Sequence, residues 1–137
     1  MRKKKKNILV IDDDLDVLEV LKEGLTSDRY QVHTAESGRE ALKILKEEKI
    51  QLVILDLMMP AMDGYEVLKR MKPQLKRKIP VIILTVKDKQ KDFIEAFKFD
   101  IRFYITKPFR LEKLRRAASY YLEELSSSEK TEIEDTI

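Results

Sequence analysis

Ile8-Leu9-Val10-Ile11-Asp12-Asp13-Asp14 decides the fold, because a four-residue apolar run stops abruptly on three acids. A run that short and that rich in β-branched side chains fits a strand buried on both faces, here from Asn7 to Ile11. From Leu15 the spacing changes: Leu15, Leu18, Leu21 and Leu25, flanked by Val17 and Val20, recur at helical intervals and predict a helix to about Thr26. The same couplet recurs along the chain. Tyr30 to Thr34 precedes a helix that Ser37 caps and that turns Ala41, Leu42, Ile44 and Leu45 inward. Leu52-Val53-Ile54-Leu55 leads, through a loop carrying Pro60 and Gly64, to a helix near Tyr65 to Met71. Val81-Ile82-Ile83-Leu84 leads to a helix around Asp88 to Phe97. Phe103-Tyr104-Ile105 leads to one from Arg110 to Leu125, striped by Leu111, Leu114, Ala118 and Leu122.

Strands that alternate with helices pair in parallel through right-handed crossovers, which puts helices on both faces of one sheet. The expected architecture is therefore a doubly wound α/β sandwich with a five-stranded parallel sheet and five helices. Five such units fit the flavodoxin-like strand order 2-1-3-4-5. The 137 residues suit one domain, spanning about residues 7–125, and the 43% apolar content is enough for a core under a surface rich in charge. Arg2 to Lys6 form a basic arm over residues 1–6. Ser126 to Ile137, with one lysine against four acids, is expected to be a disordered tail, since only two isoleucines could anchor it.

The arm and tail bring the formal charge to +3 and leave the body near +1, where basic residues alternate with acids along the helices. That pattern gives no folded basic face, so direct nucleic-acid binding is not expected. With no cysteine, disulfide scaffolds, thiolate metal sites and cysteine nucleophiles are excluded, in keeping with a cytoplasmic protein. The apolar runs are far shorter than the roughly 20 residues that span a bilayer, so no membrane partner is expected either.

In open α/β sheets ligands bind beyond the carboxyl ends of the strands. Asp12 and Asp13 follow the first strand, Asp56 the third, Thr85 the fourth and Lys107 the fifth. The order 2-1-3-4-5 gathers these ends on one edge. Three ionised carboxylates there repel, each pair by about 4 kcal/mol at 4 Å and an effective dielectric near 20, and they call for a cation. Oxygen ligands favour a hard divalent ion such as Mg²⁺. A metal, an ammonium and a threonine hydroxyl facing one another suit a phosphoryl group, so phosphoryl transfer is the chemistry expected. Asp14 reads as the cap of the first helix, since aspartate is a favoured N-cap. Asp56 closes a buried apolar run, where an ionisable group is costly unless paired or functional.

These residues resemble the receiver domain of two-component response regulators, chemotaxis regulators among them. The resemblance rests on Ile8 to Asp14, on Leu55-Asp56-Leu57-Met58-Met59-Pro60-Ala61-Met62-Asp63-Gly64, on Ile83-Leu84-Thr85 and on Tyr104-Ile105-Thr106-Lys107-Pro108-Phe109. It implies that Asp56 is the phosphoacceptor. It also implies that Asp12, Asp13, Asp56 and the backbone carbonyl of Met58 hold Mg²⁺, and that Lys107 binds the phosphoryl group. Thr85 and Tyr104 would be the switch pair. They would reshape the face of the fourth helix, fifth strand and fifth helix for a downstream protein, an output domain of the same protein or a second copy. A histidine kinase or phosphotransfer protein would be the donor, and Lys107-Pro108 would be a cis peptide. The chain would catalyse its own phosphorylation and slow dephosphorylation without being a conventional enzyme.

Where the family usually has smaller residues after the threonine, Val86 stands here, which narrows the approach to the phosphoryl group. Asp100 to Tyr104 replace a usual glycine-containing turn, and Phe99 and Phe103 offer extra apolar surface near the output face. Two rival readings exist. Asp12 and Asp14 also form the Asp-x-Asp of a haloacid-dehalogenase-type phosphatase, although the first adjacent acids after Lys107 are Glu123-Glu124 and Asp56 then has no task. The other is a structural relative that no longer accepts phosphate, against which every ligand and acceptor position is filled.

Overall fold

A computed structural model of the chain describes residues 4–86, 96, 98–99, 101 and 103–123. Its first strand, β1 (Lys6–Ile11), buries Ile8, Leu9, Val10 and Ile11 completely, which requires apolar cover on both faces. The other strands are β2 (Tyr30–Ala35), β3 (Leu52–Asp56), β4 (Val81–Val86) and β5 (Tyr104–Lys107). All pairings are parallel and the order is β2-β1-β3-β4-β5, as the alternation predicts. The chain leaves β1 toward one edge and returns past it to β3, so the crevice of the sheet opens between these two strands. Register brings their ends level: Ile11 lies opposite Leu55, Asp56 opposite Leu84 and Val86 opposite Lys107.

The described helices are α1 (Leu15–Leu25), α2 (Gly38–Glu47), α3 (Gly64–Arg70), α4 (Lys72–Lys76) and α5 (Leu111–Leu122). Side chains of a strand alternate between faces, so β1 and β3 feed two separate cores. Leu18, Leu21 and Leu25 of α1 and Leu114, Ala118 and Leu122 of α5 pack with Ile8, Val10, Leu52 and Ile54 on one face. Ala41 and Leu45 of α2 and Val67 and Leu68 of α3 pack with Leu9, Ile11, Val53 and Leu55 on the other. Ser37 caps α2 as expected, its hydroxyl accepting from Glu40 N at 3.2 Å.

Several details differ from the sequence reading. Lys6 belongs to β1 and not to a free arm: its backbone N–H donates to Arg29 O at 2.8 Å and its ammonium donates to the Leu122 carbonyl. Leu15 is 61% exposed and outside the α1 stripe, since the first turn of that helix lies past the end of β1. β5 runs Tyr104–Lys107 and so ends on the lysine. The short α4 has no periodic apolar pattern to announce it; among its described side chains Leu75 is the one packed on the core, and Pro73 sits in its first turn. Phe99 packs against one core cluster and Phe103 against the other, with its ring edge-on to Tyr121 at 5.6 Å, so both serve the interior and not an open surface. The helix expected over Asp88 to Phe97 lies outside the described residues apart from a buried Ala96, as do Asp100 and the tail from Ser126.

The two-faced core makes a direct comparison available. Ile54→Ala, at a fully buried site of β3, should lower unfolding free energy by about 2–5 kcal/mol, whereas Val20→Ala on the exposed side of α1 should change it by less than about 0.5 kcal/mol; urea denaturation of the two variants measures the contrast.

Candidate functional site

Asp12 is the first residue past β1, and its N–H still extends the ladder to Ala35 O at 3.1 Å. Its carboxylate is completely buried. Oδ1 accepts from the Asp14 N–H at 2.9 Å, a local turn that fixes the side chain in the crevice. Oδ2 takes no well-directed hydrogen bond, and the Lys107 ammonium approaches it at 2.7 Å. Asp13 follows as an exposed residue on the rim. Asp14 turns away to cap α1, accepting from Asp16 N at 2.9 Å, so it is the helix cap that the sequence suggested. The Asp-x-Asp pair of the phosphatase reading is thereby split between crevice and helix.

Asp56 ends β3 and is only 4% exposed. Its Oδ1 accepts from the Met58 N–H at 3.0 Å, and its Oδ2 accepts from Lys107 Nζ at 3.3 Å. Lys107, the last residue of β5, thus reaches past β4 to join Asp12 and Asp56, and it is followed by a cis peptide to Pro108. Thr85 stands in β4 one residue beyond the partner of Asp56, buried, with its hydroxyl donating to Val86 O over a long 3.4 Å. Val86 itself is 45% exposed at the strand end. Tyr104, at the opposite end of β5 from Lys107, is 40% exposed and points outward.

The loop after Asp56 is held against the strand it leaves. Leu57 and Met59 are buried while Met58 between them is half-exposed, and Ala61 adopts a left-handed backbone with φ 61°. Gly64 closes the loop by donating its N–H to Leu57 O at 3.0 Å. A β-carbon at Gly64 would lie 2.6 Å from both the Asp56 carbonyl oxygen and Leu57 Cα, so glycine is needed there for close approach and not for an unusual φ. Asp63 caps α3 by accepting from Glu66 N at 3.0 Å.

One carboxylate oxygen from each of Asp12, Asp13 and Asp56 lies within 4.8 Å of the others. That cluster, together with a buried Asp12 oxygen lacking a directed donor, fits a hard divalent cation. The electrostatics record the crowding. Burial, with the charge of Asp12 adding to it, pushes the Asp56 carboxyl up to about 6 against the pull of the Met58 N–H and Lys107. Burial alone would lower Lys107, but the close contact with Asp12 and the charges of Asp56 and Asp12 outweigh it and hold the ammonium above the ordinary lysine range. Two contributors had no clear signal in the sequence: the Met58 N–H, where a carbonyl role was expected, and the shorter contact of Lys107 with Asp12 than with Asp56.

Residues 8–119 match the family described as the response regulator receiver domain. The chain belongs to that family. It is 40% identical over 104 residues to the alkaline phosphatase synthesis transcriptional regulatory protein PhoP of Bacillus subtilis, covering 76% of this chain and 43% of that protein. Among solved structures, the Vibrio cholerae chemotaxis protein CheY4 superposes with a TM-score of 0.78 at 28% identity, covering 87% of this chain and all of that one. The receiver domain of the response regulator Ssk1, solved with the Saccharomyces cerevisiae histidine phosphotransfer signaling protein Ypd1, gives 0.74 at 25% identity over 85% of this chain and 88% of that one. The chain spans about half the length of the curated relatives it matches. A receiver domain is not a conventional enzyme, and the acidic pocket of Asp12, Asp13 and Asp56 is consistent with its phosphoacceptor site. Among the described residues no helix is long and apolar enough to cross a membrane.

Two outcomes follow for this receiver pocket. In metal-free solution the folded state keeps the Asp56 proton that the unfolded chain, with a value near 3.8, has already released; stability should therefore fall by about 1–3 kcal/mol as pH rises from about 4 to 6, and Asp56→Asn should abolish that slope in urea titrations. Gly64→Ala, whose methyl group meets backbone atoms, should cost about 1–3 kcal/mol in the same titrations and displace the Asp56 loop, seen as altered amide shifts at Leu57 and Met58.

Proposed function

We propose that Asp56 is the residue that accepts a phosphoryl group, that Asp12, Asp13, Asp56 and the Met58 carbonyl hold Mg²⁺ for the transfer, and that Lys107 and Thr85 receive the phosphoryl oxygens. The observation that carries this reading is the meeting of Lys107 with Asp12 at 2.7 Å and Asp56 at 3.3 Å, an ammonium shared by two buried carboxylates at the carboxyl ends of three strands. When bound, the ion supplies positive charge opposite the developing charge on the phosphoryl oxygens.

The chain's own residues do the rest. An oxygen of the Asp56 carboxylate attacks the phosphorus of a phosphohistidine; the P–N bond breaks, an acyl phosphate forms and the imidazole leaves with a proton from solvent. Lys107 shifts from two carboxylates to the new phosphoryl oxygens, and the buried Thr85 hydroxyl donates to one of them. The added charge of about −1.5 to −2 is the difference between the two states, and it favours whichever arrangement brings these donors inward. Tyr104, exposed in this structure, is the side chain that follows Thr85 inward and reshapes the surface formed with the fifth strand and α5. A histidine kinase or phosphotransfer protein is the donor, and a downstream protein, a following output domain or a second copy is the recipient of the altered surface. This chemistry belongs in the cytoplasm.

Incubation with acetyl phosphate and Mg²⁺ tests the assignment. The parent should gain the mass of one phosphoryl group, EDTA should prevent the gain, and Asp56→Asn should not be modified. Lys107→Ala should slow modification by about 10²-fold, whereas Thr85→Ala should be modified yet lose the phosphorylation-dependent change in partner binding. Full labelling of Asp56→Asn would overturn the reading.

A further inference from the structure

At the other end of the sheet from the acidic pocket, where β3 and β4 begin, the ends of α2 and α4 part around a cleft of about 540 Å³. Its floor is apolar: Ile50 is buried, and Ile79 and Pro80 are half-buried. Four exposed cations surround it, Lys46, Lys49, Arg77 and Lys78, against the acids Glu47 and Glu48. None of the four makes an ion pair with another described residue. Lys78 is the more telling because of its backbone. It closes α4 in the left-handed region at φ 59°, its N–H bonded to Leu75 O at 2.9 Å and the next N–H to Gln74 O at 3.3 Å. Glycine adopts that position without a steric penalty, so the chain here keeps a cation at a conformational cost. A cavity of this size with an apolar floor and a cationic rim suits an acidic peptide with one apolar anchor.

The chain carries such a segment. Residues 129–137, Glu-Lys-Thr-Glu-Ile-Glu-Asp-Thr-Ile, hold four acids against one lysine, with Ile133 and Ile137 as anchors. They lie beyond the described residues, but the place from which the chain sets out toward them is fixed. Glu123, just past α5, accepts from the Tyr30 hydroxyl at 2.7 Å and pairs with Arg29 at 3.6 Å. Tyr30 begins β2 opposite Lys6, so α5 releases the chain at the same end of the sheet as the cleft but on the opposite face, since Leu122 belongs to the core under α1 and α5 whereas Leu45, Ile50 and Ile79 belong to the other. The ten residues from 124 to 133 reach roughly 33 Å when extended. That covers three strand spacings from β2 to β4, roughly 14 Å, together with two layer spacings of roughly 10 Å each between the α5 side of the sheet and the α2–α4 side.

We propose that the cleft between α2 and α4 is the docking site of the chain's own acidic segment 129–137, with an isoleucine on the floor and carboxylates facing Lys46, Lys49, Arg77 and Lys78. The chain has no cysteine, so a single nitroxide can be placed on Thr136→Cys of the whole chain. Amide signals of Lys46, Lys49, Gln51 and Lys78 should then lose most of their intensity, while those of Glu112 and Lys113, near the start of α5, keep theirs. The loss should disappear in Lys49→Glu with Lys78→Glu. It should also disappear in Ile133→Ser with Ile137→Ser, which leaves the folded body untouched. Broadening that is absent, uniform over the surface, or indifferent to both double variants would overturn the proposal. Broadening found only between labelled and isotope-enriched copies in a mixture would overturn it in favour of a second copy as occupant.

Discussion

Two carboxylates that share one ammonium at the mouth of the sheet are the constraint around which this molecule is arranged. Asp12 and Asp56 are both almost inaccessible to solvent, and Lys107 stands between them. Such a trio is stable only while every member is present, since removal of one leaves a buried charge without compensation. Burial first, and the charge of Asp12 after it, hold the Asp56 carboxyl up at about 6 despite the neighbouring ammonium. The site is therefore poised for additional positive charge.

Topology provides the convergence. The residues come from β1, β3 and β5, which are far apart in sequence, and only parallel pairing in the order β2-β1-β3-β4-β5 brings their carboxyl ends to one edge. Burial of β1 and β3 on both faces then fixes them against the two helical layers, so the acids stand on the least deformable part of the fold. The loop that carries Met58 and Gly64 is closed onto the same strand.

Much of this was legible in the residues. Apolar runs of four, each ended by a polar or acidic residue, marked β1, β3 and β4, and helical spacing marked α1, α2 and α5, because burial of a whole strand or stripe imposes a pattern that no local preference can imitate. The placement of Asp12, Asp56, Thr85 and Lys107 at neighbouring strand ends was readable from where the apolar runs stop. What escaped depended on packing distance instead of pattern. The α4 turn rests on one leucine and a proline, Leu15 has the right spacing but lies past the sheet, and Lys6 becomes part of β1 through bonds to Arg29 and Leu122. The Met58 N–H and the close approach at Gly64 are backbone facts, which side-chain chemistry does not announce.

β5 is four residues long, and its final position is the lysine. Alternation in a strand means that moving the chain by one place would send that ammonium to the opposite side and turn Ile105 out of the interior. A one-residue insertion or deletion between residues 103 and 107 would thereby disconnect the cation from its two acids, whereas the connections on either side can absorb one, so the short strand acts as a ruler for the reach of Lys107.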